Sequence, residues 1–173
     1  MILIGLGANL SGPYGSPEKA LQACDPVFKA RGFPIVSSSH IWMSAPVPLS
    51  DQPWYRNAVV RVETALSPEV LITALHSIEA DFGRVRSARN ASRVLDLDLL
   101  VYDDVVLERD DLYVPHPRMH TRAFVLYPLQ ENAPDWIHPV LKQPVDVLIE
   151  NLPDEQDIEC LDMRVSGEEQ DAA

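Results

Sequence analysis

Asp96 and Asp98 lie two residues apart in the run Leu95-Asp96-Leu97-Asp98-Leu99, and Arg84, Arg86, Arg89 and Arg93 fall in the ten residues that end just before it. On a strand, side chains alternate faces, so both carboxylates project from one side while Leu95, Leu97 and Leu99 enter the other. Two residues of strand rise separate the carboxylates by roughly 6.6 Å at the backbone, and converging side chains can then bracket two cations about 3.5–4 Å apart. Hard oxygen donors of this kind suit Mg²⁺, and guanidinium forks suit phosphate oxygens. Taken alone, an Asp-x-Asp pair is more often a solvated face, and neighbouring arginines are usually surface charge. Their coincidence carries the weight, because the chain has only eleven arginines and three lysines. The stretch reads as a polyphosphate and metal site.

The segments around it must hold that site in place. Ile2 to Leu6 is a short apolar run ended by Gly7 and Asn9, and predicts a buried first strand. Ser16-Pro17-Glu18 is a helix start, with serine as N-cap and proline at the first helical position; Ala20, Leu21, Cys24, Val27 and Phe28 give the helix an apolar stripe that Pro26 should interrupt. Pro34 to Trp42 predicts one strand, and the proline-rich 44–53 segment an irregular surface loop. Asn57 to Thr64 alternates as a strand. Ser67-Pro68-Glu69 repeats the capped helix start, and the helix runs on helical spacing until Gly83 stops it. Asp96 to Tyr102 is the acidic strand. Val105 to Leu107 and Leu112 to Val114 predict a small antiparallel ribbon, Val125 to Leu129 a short helix ended near Pro128, and Val145 to Glu150 a last one. The order strand, helix, strand, strand, helix, strand is an α+β plan: a ferredoxin-like βαββαβ core, an antiparallel sheet with two helices on one face and extra C-terminal strands and helices appended. That plan hosts many unrelated functions.

The 173 residues, 46% hydrophobic, predict a single domain over 1–165 with an acidic, disordered tail at 166–173. A net charge of -12 argues against a broad nucleic-acid or anionic-membrane surface. No apolar run approaches the ~20 residues of a membrane span and no export signal is visible, so a cytoplasmic location is expected. Cys24 and Cys160 show no zinc or disulfide spacing and read as packed or idle thiols.

Further segments join the arginine loop and the aspartates: Gly5-Leu-Gly7-Ala-Asn9-Leu, Asp51-Gln52-Pro53-Trp-Tyr55-Arg-Asn57-Ala, and Val114-Pro115-His116-Pro-Arg-Met-His-Thr-Arg122-Ala-Phe124. In this order, from about Ile2 to His138, the chain closely resembles the 6-hydroxymethyl-7,8-dihydropterin pyrophosphokinases of folate biosynthesis. The resemblance implies Mg-dependent transfer of the terminal pyrophosphate of ATP to the pterin hydroxymethyl group, releasing AMP. It implies Asp96 and Asp98 as ligands of two Mg²⁺ ions, and Arg84 and Arg93 as catalytic contacts to the transferred phosphates. It places His76, Glu79, Arg86, Leu99, Leu112, Tyr113, His116 and Arg122 around ATP, and Gly7, Ser44, Ala45, Val47, Tyr55, Asn57 and Phe124 around the pterin. The implied partners are these two small molecules, with no nucleic acid and no membrane, and a monomer is expected.

The chain departs from the family pattern in places. Many members carry Trp-Gly-Pro just before the equivalent of Arg93, where this chain has Asn90-Ala91-Ser92 in a loop one residue shorter. Asp111, Pro117 and His76 stand where arginine, an aromatic and glutamine are common. These changes bear on how the pterin is covered, and Arg86, Arg89 or Arg118 could steady the closed loop. Two other readings stay open at this point: another Mg-dependent nucleotidyl or glycosyl transferase, and a ferredoxin-like module that binds RNA or a regulatory small molecule.

Overall fold

The computed structural model describes residues 1–85, 89–153 and 156–166. Its elements run β1 (Ile2–Ala8), α1 (Pro17–Ala30), β2 (Ile35–Ser38), β3 (His40–Ser44), β4 (Tyr55–Val62), α2 (Pro68–Asp81), β5 (Asp96–Tyr102), β6 (Leu107–Arg109), β7 (Leu112–Val114), α3 (Ala123–Asn132), α4 (Val145–Glu150) and β8 (Ile158–Arg164). The main sheet is antiparallel in the order β5-β1-β4-β3-β8, with β2 also paired to β4. With β2 and β3 counted as one interrupted strand, this is the expected βαββαβ core plus an extra edge strand. No helix among the described residues is long and apolar enough to cross a membrane.

Local chemistry explains the helix starts. The Ser16 and Ser67 hydroxyls accept from the backbone N–H groups of Lys19 and Val70, and a proline follows each cap. Gly83, at φ +92, turns the chain out of α2 into the arginine loop. Apolar side chains of β1, β4 and β5 then face α1 and α2, burying Ile4, Leu21, Phe28, Val60, Leu75 and Leu95 together. The alternation expected for β5 holds, since Leu95, Leu97 and Leu99 all lie in this core.

Four local expectations need correction. α1 continues through Pro26 to Ala30, because Pro26 lies on the exposed side, where water can serve the carbonyl its missing N–H would have bonded, while Cys24 and Phe28 stay packed beneath. α3 likewise runs through Pro128 to Asn132, held by the buried Leu126 and Leu129. The strand expected at Pro34–Trp42 is broken at Ser39, whose hydroxyl accepts from Val59 N–H at 3.0 Å and donates to His40 O at 2.7 Å. That hydroxyl stands in for a ladder bond, and the chain resumes as β3. The ribbon strand begins at Leu107 rather than Val105.

The second face of the sheet is covered too. Leu3, Val59, Leu100 and Val101 pack against Met119, Leu126, Leu129, Trp136, Val145 and Leu148, so α3 and α4 roof the face that the core plan leaves bare. Towards one end that roof stops. Gly7 pairs with both Asn57 and Asp96, and Gly5 with Asp98, which puts the polar side chains of β4 and β5 on the uncovered part of this face. Of the tail expected at 166–173, residues 167–173 lie outside the described residues.

Candidate active site

Three of the larger concave spaces among the described residues converge on Asp98. The first, about 330 Å³, lies between the α2 end and the arginine loop and is lined by His76, Glu79, Arg84, Arg93, Asp96 and Asp98 among others. The second, about 150 Å³, opens on the sheet face beneath the 44–52 loop and is lined by Gly7, Ser44, Tyr55, Asn57, Arg122 and Phe124, again with Arg93, Asp96 and Asp98. The third, about 180 Å³, runs past the β5 edge between α2 and the β7 ribbon, with His76, Leu99, Tyr113 and His116 in its wall. β5 is an edge strand, so its two aspartates can be approached from both sides.

Asp96 is held by two cations. Arg84 Nη1 donates to its Oδ1 at 2.7 Å and Arg93 Nη1 to its Oδ2 at 2.8 Å. The same Arg84 nitrogen donates to Glu79 Oε1, which also accepts from the Leu97 backbone N–H at 2.8 Å. Glu79 therefore joins α2 to the strand residue between the aspartates, from a position only 6% exposed. Burial pushes its carboxyl up to about 7, against the lowering effect of the Leu97 N–H and Arg84. Asp98 is raised as well, by burial first and by the charge of Asp96 second.

Because folded Glu79 holds its proton more tightly than unfolded Glu79, the protonated group adds stability below pH about 4.5, and that contribution is lost as pH climbs through about 7. Glu79→Gln should flatten this decline, by up to about 3 kcal/mol across the window. Thermal unfolding at pH 4.5 and 7.5 checks it, and an unchanged slope contradicts it.

His116 follows a cis Val114–Pro115 bond and is tied to β5 by its N–H to Leu100 O at 3.1 Å. Burial, then Arg122 and Arg118, push its imidazole down to about 4, so the ring is neutral at pH 7. Its Nδ1 accepts from Arg118 N–H at 3.2 Å, which leaves the ring proton on Nε2, 4.0 Å from Asp98 Oδ2. The Arg122 guanidinium lies 5.5 Å from the Phe124 ring centroid, a cation–π distance.

In the second cavity, Asn57 Nδ2 donates to Ser44 Oγ at 2.8 Å, and Gly7 leaves open the space beside Asn57 Oδ1, where a Cβ would come within 3.4 Å. The 44–55 loop is latched to the arginine loop: Gln52 Nε2 donates to Asn90 O at 2.7 Å, Ser92 Oγ to Gln52 Oε1 at 3.0 Å, and Tyr55 Oη to Ala91 O at 3.3 Å. Asn9 locks the joint from below. Its Oδ1 accepts from Arg93 N–H at 2.8 Å, and its Nδ2 donates to Pro53 O at 3.0 Å and Gln52 Oε1 at 3.2 Å. Asn9 is 3% exposed, and was read from sequence only as the end of the first strand. A lone asparagine after Gly7 gives no local hint of partners more than forty residues away.

All seven residues expected around the pterin line the second cavity. Of those expected around ATP, His76, Glu79, Arg84 and Arg93 line the first, while His76, Leu99, Tyr113 and His116 line the third. Arg122 faces the second cavity instead. Leu112 is half-buried against the core beneath the ribbon and lines none of the three. Arg86 lies outside the described residues. Arg89 lines the first cavity, and Arg118 acts on the His116 ring.

The donor set fits a hard divalent cation. Asp96 and Asp98 offer carboxylate oxygens on one strand face, Asp98 with 40% of its side chain exposed. A carboxyl raised by burial and by the charge of its neighbour, as Asp98 is by Asp96, is relieved by a cation between the two.

Residues 3–134 match the family described as 7,8-dihydro-6-hydroxymethylpterin-pyrophosphokinase (HPPK). The chain is 40% identical over 136 residues to a 2-amino-4-hydroxy-6-hydroxymethyldihydropteridine pyrophosphokinase of Haemophilus influenzae, covering 79% of this chain and 83% of that one. A Pseudomonas aeruginosa protein of the same name is 40% identical over 134 residues, covering 78% and 81%. The folic acid synthesis protein fol1 of Schizosaccharomyces pombe is 33% identical over 150 residues, covering 87% of this chain, which spans only 20% of that longer protein. Among solved structures, Plasmodium falciparum HPPK-DHPS superimposes with a TM-score of 0.63 at 13% identity, over 86% of this chain and 42% of that one, a likeness of fold. With the family model matched over residues 3–134 and two relatives 40% identical to it, the chain belongs to the HPPK family.

Proposed function

We propose that the protein transfers pyrophosphate from ATP to the hydroxymethyl group of 6-hydroxymethyl-7,8-dihydropterin, giving the pterin diphosphate and AMP in folate biosynthesis. The observation that carries this reading is the convergence of a polar, arginine-lined cavity and a smaller, partly apolar one on the same two carboxylates. ATP occupies the first and third cavities and the pterin the second, so that the two substrates meet over Asp96 and Asp98. The reading takes residues 1–165 as one unit that works as a monomer in the cytoplasm, with ATP and the pterin alcohol as its partners.

The chain's own groups have distinct tasks. Asp96 and Asp98 would hold two Mg²⁺ ions, which when bound neutralise phosphate charge and make the attacking hydroxyl more acidic. Arg84 and Arg93 leave Asp96 for the phosphates as nucleotide arrives, exchanging one anion for another in the same place. Neutral His116 donates from Nε2 to a phosphate oxygen, and Arg122 balances charge from the pterin side. The pterin hydroxyl oxygen forms a bond to the β-phosphorus as the β-phosphorus bond to the bridging α,β-oxygen breaks; AMP leaves with that oxygen, and the hydroxyl proton passes to solvent. Glu79, in the wall of the nucleotide cavity, keeps Arg84 and the β5 backbone in register. Asn57 offers its amide to the polar edge of the pterin while Phe124 and Tyr55 supply ring faces. No residue has to act as general base, since pre-aimed charge can carry the step.

The test is product identity. AMP should appear only when the pterin alcohol is present, in equal amount with a diphosphorylated pterin; ADP with a monophosphorylated pterin, or AMP without pterin, overturns the reading and favours another nucleotide-dependent transferase. A separate expectation concerns recognition. Asn57→Ala should weaken pterin binding by roughly 10- to 100-fold, because the buried heterocycle edge loses its partners, and should leave ATP-analogue binding within about threefold. Calorimetry with each ligand decides, and equal losses for both contradict the assigned role.

A further inference from the structure

Far from the aspartates, β3, α3 and β8 bring three different donors together. His40 and Trp42 share one face of β3, and Cys160 on the edge strand β8 is the cross-strand partner of Trp42. Trp42 stacks on Tyr127 of α3 with ring centroids 5.4 Å apart. One helical turn on, Glu131 reaches down: its Oε2 accepts from His40 N–H at 3.0 Å and lies 2.8 Å from His40 Nδ1, and its Oε1 accepts from Trp42 Nε1 at 2.5 Å. One ligand atom each from His40, Glu131 and Cys160 lies within 4.8 Å of the other two. Among the described residues, no other three His, Cys, Asp or Glu side chains converge as closely.

The imidazole, carboxylate and indole satisfy one another and already anchor α3 to the sheet. Cys160 goes beyond that anchoring. Its exposed thiol makes a long 3.7 Å contact to Leu161 O, yet it comes from a separate element to the point where the imidazole and carboxylate meet. A nitrogen, an oxygen and a sulfur donor do not make a Mg²⁺ site; they match the borderline-soft preference of zinc-class cations. Zinc bonds of about 2.0–2.3 Å set tetrahedral donor separations of roughly 3.3–3.6 Å, so the His40–Glu131 pair must open slightly and the thiol close in. Both moves are open to side chains that reach solvent.

We propose that His40, Glu131 and Cys160 form a binding site for a thiophilic divalent cation such as Zn²⁺, with its fourth position facing water. The ion staples edge strand β8, whose strand partner is β3, to α3 as well. It is separate from the aspartate pair in both place and donor chemistry.

Co²⁺, added to reduced full-length protein without nucleotide, is the probe. One equivalent should give a thiolate-to-cobalt charge-transfer band, which Zn²⁺ then displaces. Cys160→Ser should abolish the band, and Glu131→Gln should weaken Co²⁺ binding at least about tenfold. Asp98→Asn should retain the band at full strength, which separates this site from the carboxylate pair. Zn²⁺ should also raise the unfolding temperature of the parent protein but not of Cys160→Ser. Absence of the band, or its survival in Cys160→Ser, overturns the proposal. Because Cys160 is exposed, the serine variant folds, and loss of signal there reports on the thiol.

Discussion

Asp98→Asn should lower turnover by about 10³-fold or more while leaving the unfolding temperature unchanged or raised. A cation held at this position contributes several kcal/mol to stabilising charge on the transferring group, and about 4 kcal/mol corresponds to three decades of rate. The stability half of the prediction follows from the ground state. Burial of the part that does not reach solvent, then the neighbouring Asp96 charge, raise the Asp98 carboxyl, so its ionised form is disfavoured in the fold even with 40% of the side chain exposed. Asparagine keeps the shape and removes that penalty, a case of function retained at some cost in stability. Asp96→Asn should behave differently. It leaves Arg84 and Arg93 without the carboxylate they bracket at 2.7 and 2.8 Å, so it should lose stability along with activity. Rate assays at saturating Mg²⁺ beside thermal melts separate the two variants, and a near-parental rate for Asp98→Asn contradicts its role.

Arg93→Ala should cost on the order of 10³–10⁵ in rate, the range for a well-placed arginine in phosphoryl transfer. Arg93 lines both the nucleotide-side and pterin-side cavities, where the moving group must pass. Its backbone N–H is bound by Asn9 independently of its side chain, so the loop path survives truncation. The loss should therefore fall mainly on kcat rather than on the KM for ATP. Arg93→Lys should recover only part of it, because an ammonium cannot present the planar fork. A drop in kcat smaller than tenfold for the alanine variant contradicts the assignment.

What could be read from the sequence was local. The two Ser-Pro caps, the Gly83 stop and the alternation of Leu95 to Leu99 depend on neighbours within a few residues, and the structure has each of them. The βαββαβ order followed from those elements. Features that depend on distant partners were not legible. β8 pairs with β3 from more than a hundred residues away, a partner that no local pattern names. Pro26 and Pro128 look like breaks until one sees which buried side chains hold their helices. Glu79 was readable only as a match to a nucleotide-side position, yet its carboxylate ties Arg84 to the strand amide between the aspartates. Asn9 gathers the arginine loop and the 44–55 loop through contacts that no spacing rule reveals.

The most direct test of the aspartate pair is a crystal of the protein with Mn²⁺ in place of Mg²⁺, a non-hydrolysable ATP analogue and the pterin, examined by anomalous scattering. Two anomalous peaks should lie between the phosphates and the carboxylates of Asp96 and Asp98, with Arg84 and Arg93 moved from Asp96 onto phosphate oxygens. Nucleotide bound with both arginines still on Asp96, and no peak beside either carboxylate, would contradict the proposed chemistry at its foundation.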